Sequence, residues 1–293
     1  MVGERGWKHA AWVALFVLPG LSALLVFIIG PILASLVLTL FEWDLLTDPQ
    51  FVGLENFRRL LTDDDFWAAF RHTIGYIVGY VPLVMVSALA VALALNTRMP
   101  ALGAIRTAFF LPVVSSWVAV ALLWTWMFNP RYGLINYGLS QIGVEGPAWL
   151  YDSTWAMPAI ILTSVWKDLG FVMVVFLAGL QSIPRDYYEA ASLDGANAWE
   201  RLRSITLPLL APTTFFVAII SIINSFQVFT QVWIMTEGGP SGSTTVLVER
   251  IVKHAFSYGE MGYAATISWV LCLVVFAVTV MQHRLQRWSS VYE

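Results

Sequence analysis

Hydrophobic positions in this chain fall in long unbroken blocks rather than in amphipathic stripes. Six stretches, residues 11–40, 73–95, 106–128, 156–180, 208–235 and 263–283, are apolar over roughly the 20 residues that a helix needs to cross a bilayer. The pattern predicts an all-α membrane protein, with six transmembrane helices in a single domain over residues 1–293. The first block follows Arg5 and Lys8, as in a signal peptide. However, AWVALFVLPGLSALLVFIIGPILASLVLTL is about twice as long as a signal h-region and has no clear cleavage site. It is expected to remain as a first helix, tilted or bent at Pro19 and Pro31.

The polar positions between the blocks set the orientation. With the N-terminus in the cytoplasm, Arg5, Lys8, Arg98, Arg106, Arg185, Arg201, Arg203, Arg284 and Arg287 lie inside. Arg58, Arg59, Arg71, Arg131, Arg250 and Lys253 lie outside, and Lys167 falls within a span. This bias is modest, and it favours a multi-pass plasma-membrane protein with both termini cytoplasmic. The acidic run Asp63-Asp64-Asp65 reads as a solvated cap before a helix around Phe66 to Phe70, or as a face for an outer partner.

Composition agrees. The chain is 58% hydrophobic and 12% charged, against about 45–50% and 25% for soluble domains. Its 14 Trp and 10 Tyr suit two membrane interfaces. Cys272, the one cysteine, excludes an intrachain disulfide. His9, His72, His254 and His283 are scattered, with no metal-ligand spacing among them, and no phosphate-cradling GxxxxGK[ST] loop occurs. A hydrolase or a nucleic-acid binder is not expected.

One polar insert, EAASLDGANAWERLRSITLPLLAP at 189–212, breaks the apolar pattern. Pro184 suits a helix start, and Asp186 and Glu189 suit the positive end of its dipole. Gly195 provides a left-handed stop. Ala190, Ala191 and Leu193 offer a small flat surface, and a second short helix is expected over NAWERLRS. Ile205, Leu207 and Pro208 then return the chain to the membrane. On the pattern alone this is either an amphipathic interfacial loop or a docking elbow.

The spacing of Glu189-Ala190-Ala191, Gly195, Ile205 and Leu207-Pro208 resembles the EAA signature of ATP-binding-cassette (ABC) importer permeases at each of its seven defining positions. FVGLENFRRLL at 51–61, FLPVVSSWVAVALLWTWMFNPRYGLIN at 110–136, VWKDLGFVMVVFLAGLQSIP at 165–184 and SFQVFTQVWIMTEGGP at 225–240 are similar to further segments of the carbohydrate-type permeases. Their order resembles that of the first permease of a heterodimeric pair, the maltose and glycerol-3-phosphate type. The resemblance implies the six-helix type I importer fold and a cytoplasmic coupling loop over about 184–207. It implies docking on an ATPase subunit through Glu189, Ala190, Ala191, Asp194, Gly195, Ile205, Leu207 and Pro208. It also implies a second homologous permease, two ATP-binding subunits that hold ATP and Mg²⁺, and an extracytoplasmic solute-binding protein. This chain would then be non-catalytic and bind no cofactor. Glu200 and Arg201 are further rim contacts by charge.

Polar groups inside spans mark candidate pathways. Trp166, Lys167 and Asp168 fall within the fourth block. Asn224, Gln227 and Gln231 in the fifth are spaced i, i+3 and i+7, so one uninterrupted helix would place them on one face, with Phe226 and Phe229 nearby for stacking on sugar rings. Ser115, Ser116 and Trp117 in the third are weaker candidates. Each set fits either contact with a solute or hydrogen bonding between helices. The expected function is import of a sugar, oligosaccharide or related polyol by alternating access. Import of glycerol-3-phosphate or glycerophosphodiesters is the near alternative. A secondary transporter or channel using Lys167 and Asp168 as a relay is the alternative of another class, and no nucleophile–base pair supports an intramembrane enzyme.

Overall fold

The computed structural model describes residues 6–97 and 100–289; Arg5 and Arg98 of the charge pattern lie outside them, as do the side chains of Lys8, His283 and Arg287. Helices dominate, and the described residues divide into two compact units, 6–63 with 251–270, and 64–97 and 100–250 with 271–289.

In the first unit, α1 (Trp7–Leu24) continues through a π turn at Leu25–Ile29 into α2 (Gly30–Leu38). The register change thus lies just before Pro31, while Pro19 sits inside α1 without ending it. Proline lacks the N–H that the carbonyl four residues earlier would need, and a π turn absorbs that loss. After α2, β1 (Phe41–Glu42) and β2 (Gln50–Phe51) form an antiparallel ribbon of two residues each. It leads to α3 (Glu55–Thr62). Here the motif FVGLENF acquires a physical meaning. Buried Asn56 donates from Nδ2 to the carbonyls of Thr39, the C-cap of α2, and Phe41 in β1, both at 3.0 Å, and so ties the helix end to the ribbon. Arg59 forks onto Glu260 with two hydrogen bonds of 3.0 Å, and its guanidinium lies 4.2 Å above the Tyr263 ring. His254 Nδ1 lies 2.6 Å from the same carboxylate. Burial raises the Glu260 pKa, but hydrogen bonds from Arg59 and His254 outweigh it and hold the carboxyl below its ordinary value.

The second unit carries the main helical core. It opens with α4 (Asp64–Leu95), nine residues earlier than the apolar block suggested. The acidic run is more than a solvated cap: Asp65 pairs with Arg250 at 3.2 Å, and Asp63, in the first unit, accepts from the Tyr263 hydroxyl. Next come α5 (Leu102–Val114), α6 (Trp117–Met127), α7 (Leu134–Gln141) and α8 (Ala156–Ser182). The polar insert holds α9 (Arg185–Leu193), α10 (Ala198–Arg201) and α11 (Leu207–Leu209). It is followed by α12 (Ala211–Phe226), α13 (Thr230–Met235), α14 (Leu247–Val252), whose end at 251–252 is assigned to the first unit, and α15 (Met261–Ser289), which begins in the first unit and passes into the second at 271. Helices α4 and α8 pack along most of their length, with α5 against α8 and α12 against α4. Their contact is an apolar core that includes Tyr76, Val84, Ala88, Ile160, Met173 and Phe176.

Among the described residues, four helices are long and apolar enough to span a membrane unaided: 11–38, α4, α8 and 261–282. The third and fifth apolar blocks are not the single helices expected of them. The third is α5 and α6, with their axes 98° apart. In the fifth, the segment 198–209 meets α12 at 64°, and α12 stops at Phe226, short of the block's end.

Gly170 shows how closely α5 and α8 approach. A Cβ there would collide with the backbone carbonyl of Phe109, and no rotamer can relieve a clash with main chain. Gly170→Ala is expected to destabilise the protein by about 1–3 kcal/mol. Gly75→Ala, where nothing lies within 4 Å, should be neutral. Thermal unfolding of the two detergent-solubilised variants checks this.

Candidate functional site

A helix interrupted at membrane depth leaves backbone groups that lipid cannot satisfy, so the protein itself has to supply partners. At the end of α5 the chain runs extended through Ser115 and Ser116 before α6 begins. Ser115 N donates to Pro112 O at 3.2 Å and its hydroxyl to Leu111 O at 3.3 Å. Lys167, on α8 and only 4% exposed, reaches Val113 O at 3.1 Å, and its Nζ lies 4.8 Å from the centre of the Trp117 ring. A cation at the negative end of a helix and over an indole face is held by both. The second break lies at Gln227–Phe229, between α12 and α13.

The two breaks border one cavity of about 350 Å³. Tyr76 and Tyr80 of α4 form one wall, with rings stacked 5.4 Å apart and 8° from parallel. Trp117, Asp168, Asn224, Gln227, Phe229, Thr230 and Gln231 complete most of the lining. Asp168 Oδ2 accepts from Tyr80 OH at 2.8 Å. Gln231, 6% exposed, places Nε2 3.4 Å from Tyr76 OH and 3.5 Å from Ser164 Oγ. Stacked aromatics beside amides and hydroxyls can pack on the faces of a polyhydroxyl ring and exchange hydrogen bonds with its edge. A second cavity of about 280 Å³ shares Tyr80, Asp168 and Asn224 with the first and continues along α12 past Ser221 and Val217 to Phe216.

Asn224, Gln227 and Gln231 do meet one space, though not by the helical face that their spacing predicts. Asn224 is in the last turn of α12, Gln227 caps it, and Gln231 belongs to α13. The break brings them together. Phe226 is buried in the core, whereas Phe229 lines the cavity. Lys167 borders only the second cavity. Trp166 lines neither, being half exposed with its ring edge-on to Trp124, and Ser115 and Ser116 form the break itself. Sequence reading missed Tyr76, Tyr80 and Thr230. The signal for the tyrosines was present as two hydroxyls spaced i, i+4 within an apolar span.

The polar insert forms an exposed elbow. Helix α9 ends at Asp194, and Gly195 has φ +82°, a conformation that a side chain disfavours. Asn197 then closes a capping box with Glu200, so Glu200 has a local role. Arg201 donates to Ser192 Oγ at 3.1 Å. The second helix begins at Ala198 as expected and continues beyond NAWERLRS, through a π turn at Leu202–Thr206 into α11. Glu189, Ala190, Asp194, Gly195, Leu207 and Pro208 are exposed, Ala191 and Ile205 are partly so, and Leu193 at the tip is 91% exposed.

The family model of the binding-protein-dependent transport system inner membrane component matches residues 87–289. The lactose transport system permease protein LacF of Rhizobium radiobacter is 39% identical over 285 residues, 95% of this chain and 94% of that protein. The trehalose/maltose transport system permease protein MalF of Thermococcus litoralis is 35% identical over 98% of this chain and 97% of its own. Among solved structures, a bacterial ABC transporter involved in the import of the acidic polysaccharide alginate has a chain similar at TM-score 0.84 and 25% identity, covering 97% of this chain and 99% of that one. With the fold of an ABC importer permease, and with most of its length matched, this chain belongs to the family of binding-protein-dependent transport system inner membrane components.

Proposed function

We propose that the chain is the non-catalytic permease subunit of an ATP-driven importer that moves a sugar, oligosaccharide or related polyol inward. The observation that carries this reading is the cavity of stacked tyrosines, amides and Thr230 beside two helix breaks, in a chain whose relatives include lactose and trehalose/maltose permeases. Both termini and the 184–207 loop are cytoplasmic in this reading. A second homologous permease supplies the other side of the pathway, an extracytoplasmic binding protein delivers the solute, and two ATPase subunits hold ATP and Mg²⁺.

The elbow at Gly195 docks on one ATPase subunit. Exposed Ala190 and part-exposed Ala191 permit close approach, and Leu193 at the tip presents an apolar side chain that is 91% exposed. Closure of the ATPase pair then moves the elbow as a rigid body and opens or closes the cavity between the permeases. Gly195→Val forces a β-branched residue into the left-handed region at about 1–3 kcal/mol, and Glu189→Lys reverses a charge on the docking face. Each is expected to cut ATPase co-purification and uptake by about tenfold or more while membrane insertion persists. Normal association in both variants would falsify the docking role.

The cavity makes a separate prediction. Gln227→Ala removes an amide from the wall, worth about 0.5–1.5 kcal/mol per hydrogen bond. The expected result is a three- to tenfold higher KM for uptake by the assembled importer, with ATPase association intact.

A secondary carrier using a Lys167–Asp168 relay fits less well, because the two side chains engage different partners, Val113 O and Tyr80 OH. Expressed without partner subunits, the chain is expected to show no solute uptake and no response to ionophores. Ionophore-sensitive uptake by the chain alone would favour the carrier.

A further inference from the structure

The two cavities meet at a neck formed by Tyr80, Asp168 and Asn224, the residues common to both linings. No Lys, Arg or His lines the first cavity among the described residues. Among the described residues the only cation on the second is Lys167, whose ammonium is directed to the Val113 carbonyl and the Trp117 ring. The one side chain at the neck able to carry charge is therefore a carboxyl group. Tyr80 OH donates to Asp168 Oδ2, which fixes the carboxyl group at the junction.

We propose that this neck selects by charge: Asp168 passes neutral polyhydroxyl solutes and turns away anionic ones, so the solute class is the neutral saccharide or polyol rather than a carboxylated, sulfated or phosphorylated one. The inference rests on the cavity being the solute path. A neutral sugar can donate its hydroxyl protons to the free lone pairs of Asp168 and to the Asn224 carbonyl, and can stack on the tyrosine rings. A carboxylate or phosphate group has no proton to donate to Asp168, and the one lysine bordering the second cavity is already engaged by the Val113 carbonyl and the Trp117 ring, so no bidentate fork of the kind that recognises such groups is offered. Beside a part-buried carboxylate it meets like-charge repulsion that solvent screens poorly. Specificity of this type comes from what the site refuses as much as from what it holds. The glycerol-3-phosphate and glycerophosphodiester alternative is disfavoured on this ground. The fold alone does not decide the matter, since a transporter of similar fold imports an acidic polysaccharide; the side chains at the neck do.

The test uses the purified complex of both permeases and the ATPases without the binding protein, which would impose its own selection. The probes are neutral disaccharides, maltose, lactose and trehalose, and the aldobionates of the first two, which keep the glycosidic linkage and add one carboxylate. The quantity read is the ratio of aldobionate to parent sugar bound. Wild type is expected to favour the parent sugar by about tenfold or more. Asp168→Asn should raise the ratio by about the same factor, and Asp168→Glu, which keeps the charge, should leave exclusion in place. A ratio unmoved by Asp168→Asn in a complex that still binds a neutral sugar overturns charge selection and leaves the import reading standing. Absence of binding by every probe to the wild-type complex overturns both.

Discussion

The hydrogen bond from Lys167 to the carbonyl of Val113 makes the broken third apolar block possible. A membrane helix cannot stop within lipid unless its last carbonyls find donors. Serine at the break serves Leu111 and Pro112, but Val113 needs a donor from another helix, and α8 provides one on a side chain long enough to cross. With that bond in place, α6 can leave at 98° and bring Trp117 to the cavity wall. The lysine thus has a structural reason to be buried, and its charge is compensated where it lies by the helix end and the indole.

The same rule shapes the other half of the cavity. When α12 stops at Phe226, the N–H groups of Gln227 and Val228 turn back onto Asn224 O and Ser225 O, which leaves the side chains of Asn224 and Gln227 free to face the cavity. Polar side chains at a break are less costly than the same groups on a lipid-facing helix, because water or solute can satisfy them. The cavity therefore follows from where the helices stop, and its chemistry follows from which residues stand at those points.

This explains how much was legible in the sequence. The blocks of apolar residues located the membrane helices, because length and hydropathy are local properties. Gly195 announced the elbow, since few residues other than glycine take φ +82° without cost. The breaks were not legible, because Ser-Ser within an apolar run is compatible with an unbroken helix, and Pro112 sits inside α5 rather than at its end. Asn224, Gln227 and Gln231 were found for a reason that does not hold, a shared face of a helix that ends at Phe226. Tyr76 and Tyr80 were overlooked because aromatics in a span read as packing, and only α8 and α13 beside them give their hydroxyls partners in Asp168 and Gln231.

Lys167 and Asp168 are neighbours in sequence, and in a membrane helix such a pair invites reading as one functional unit. Successive residues on a helix point about 100° apart, and here the divergence separates two jobs. The ammonium holds backbone geometry at one helix end. The carboxyl group stands at the junction of two cavities, where its only described hydrogen bond comes from a tyrosine. Had the lysine turned toward the first cavity, which it does not line, that space would have offered a countercharge to anionic solutes. Because its ammonium is held by Val113, the helix break that creates the space also keeps the lysine out of the first cavity and leaves it only on the border of the second.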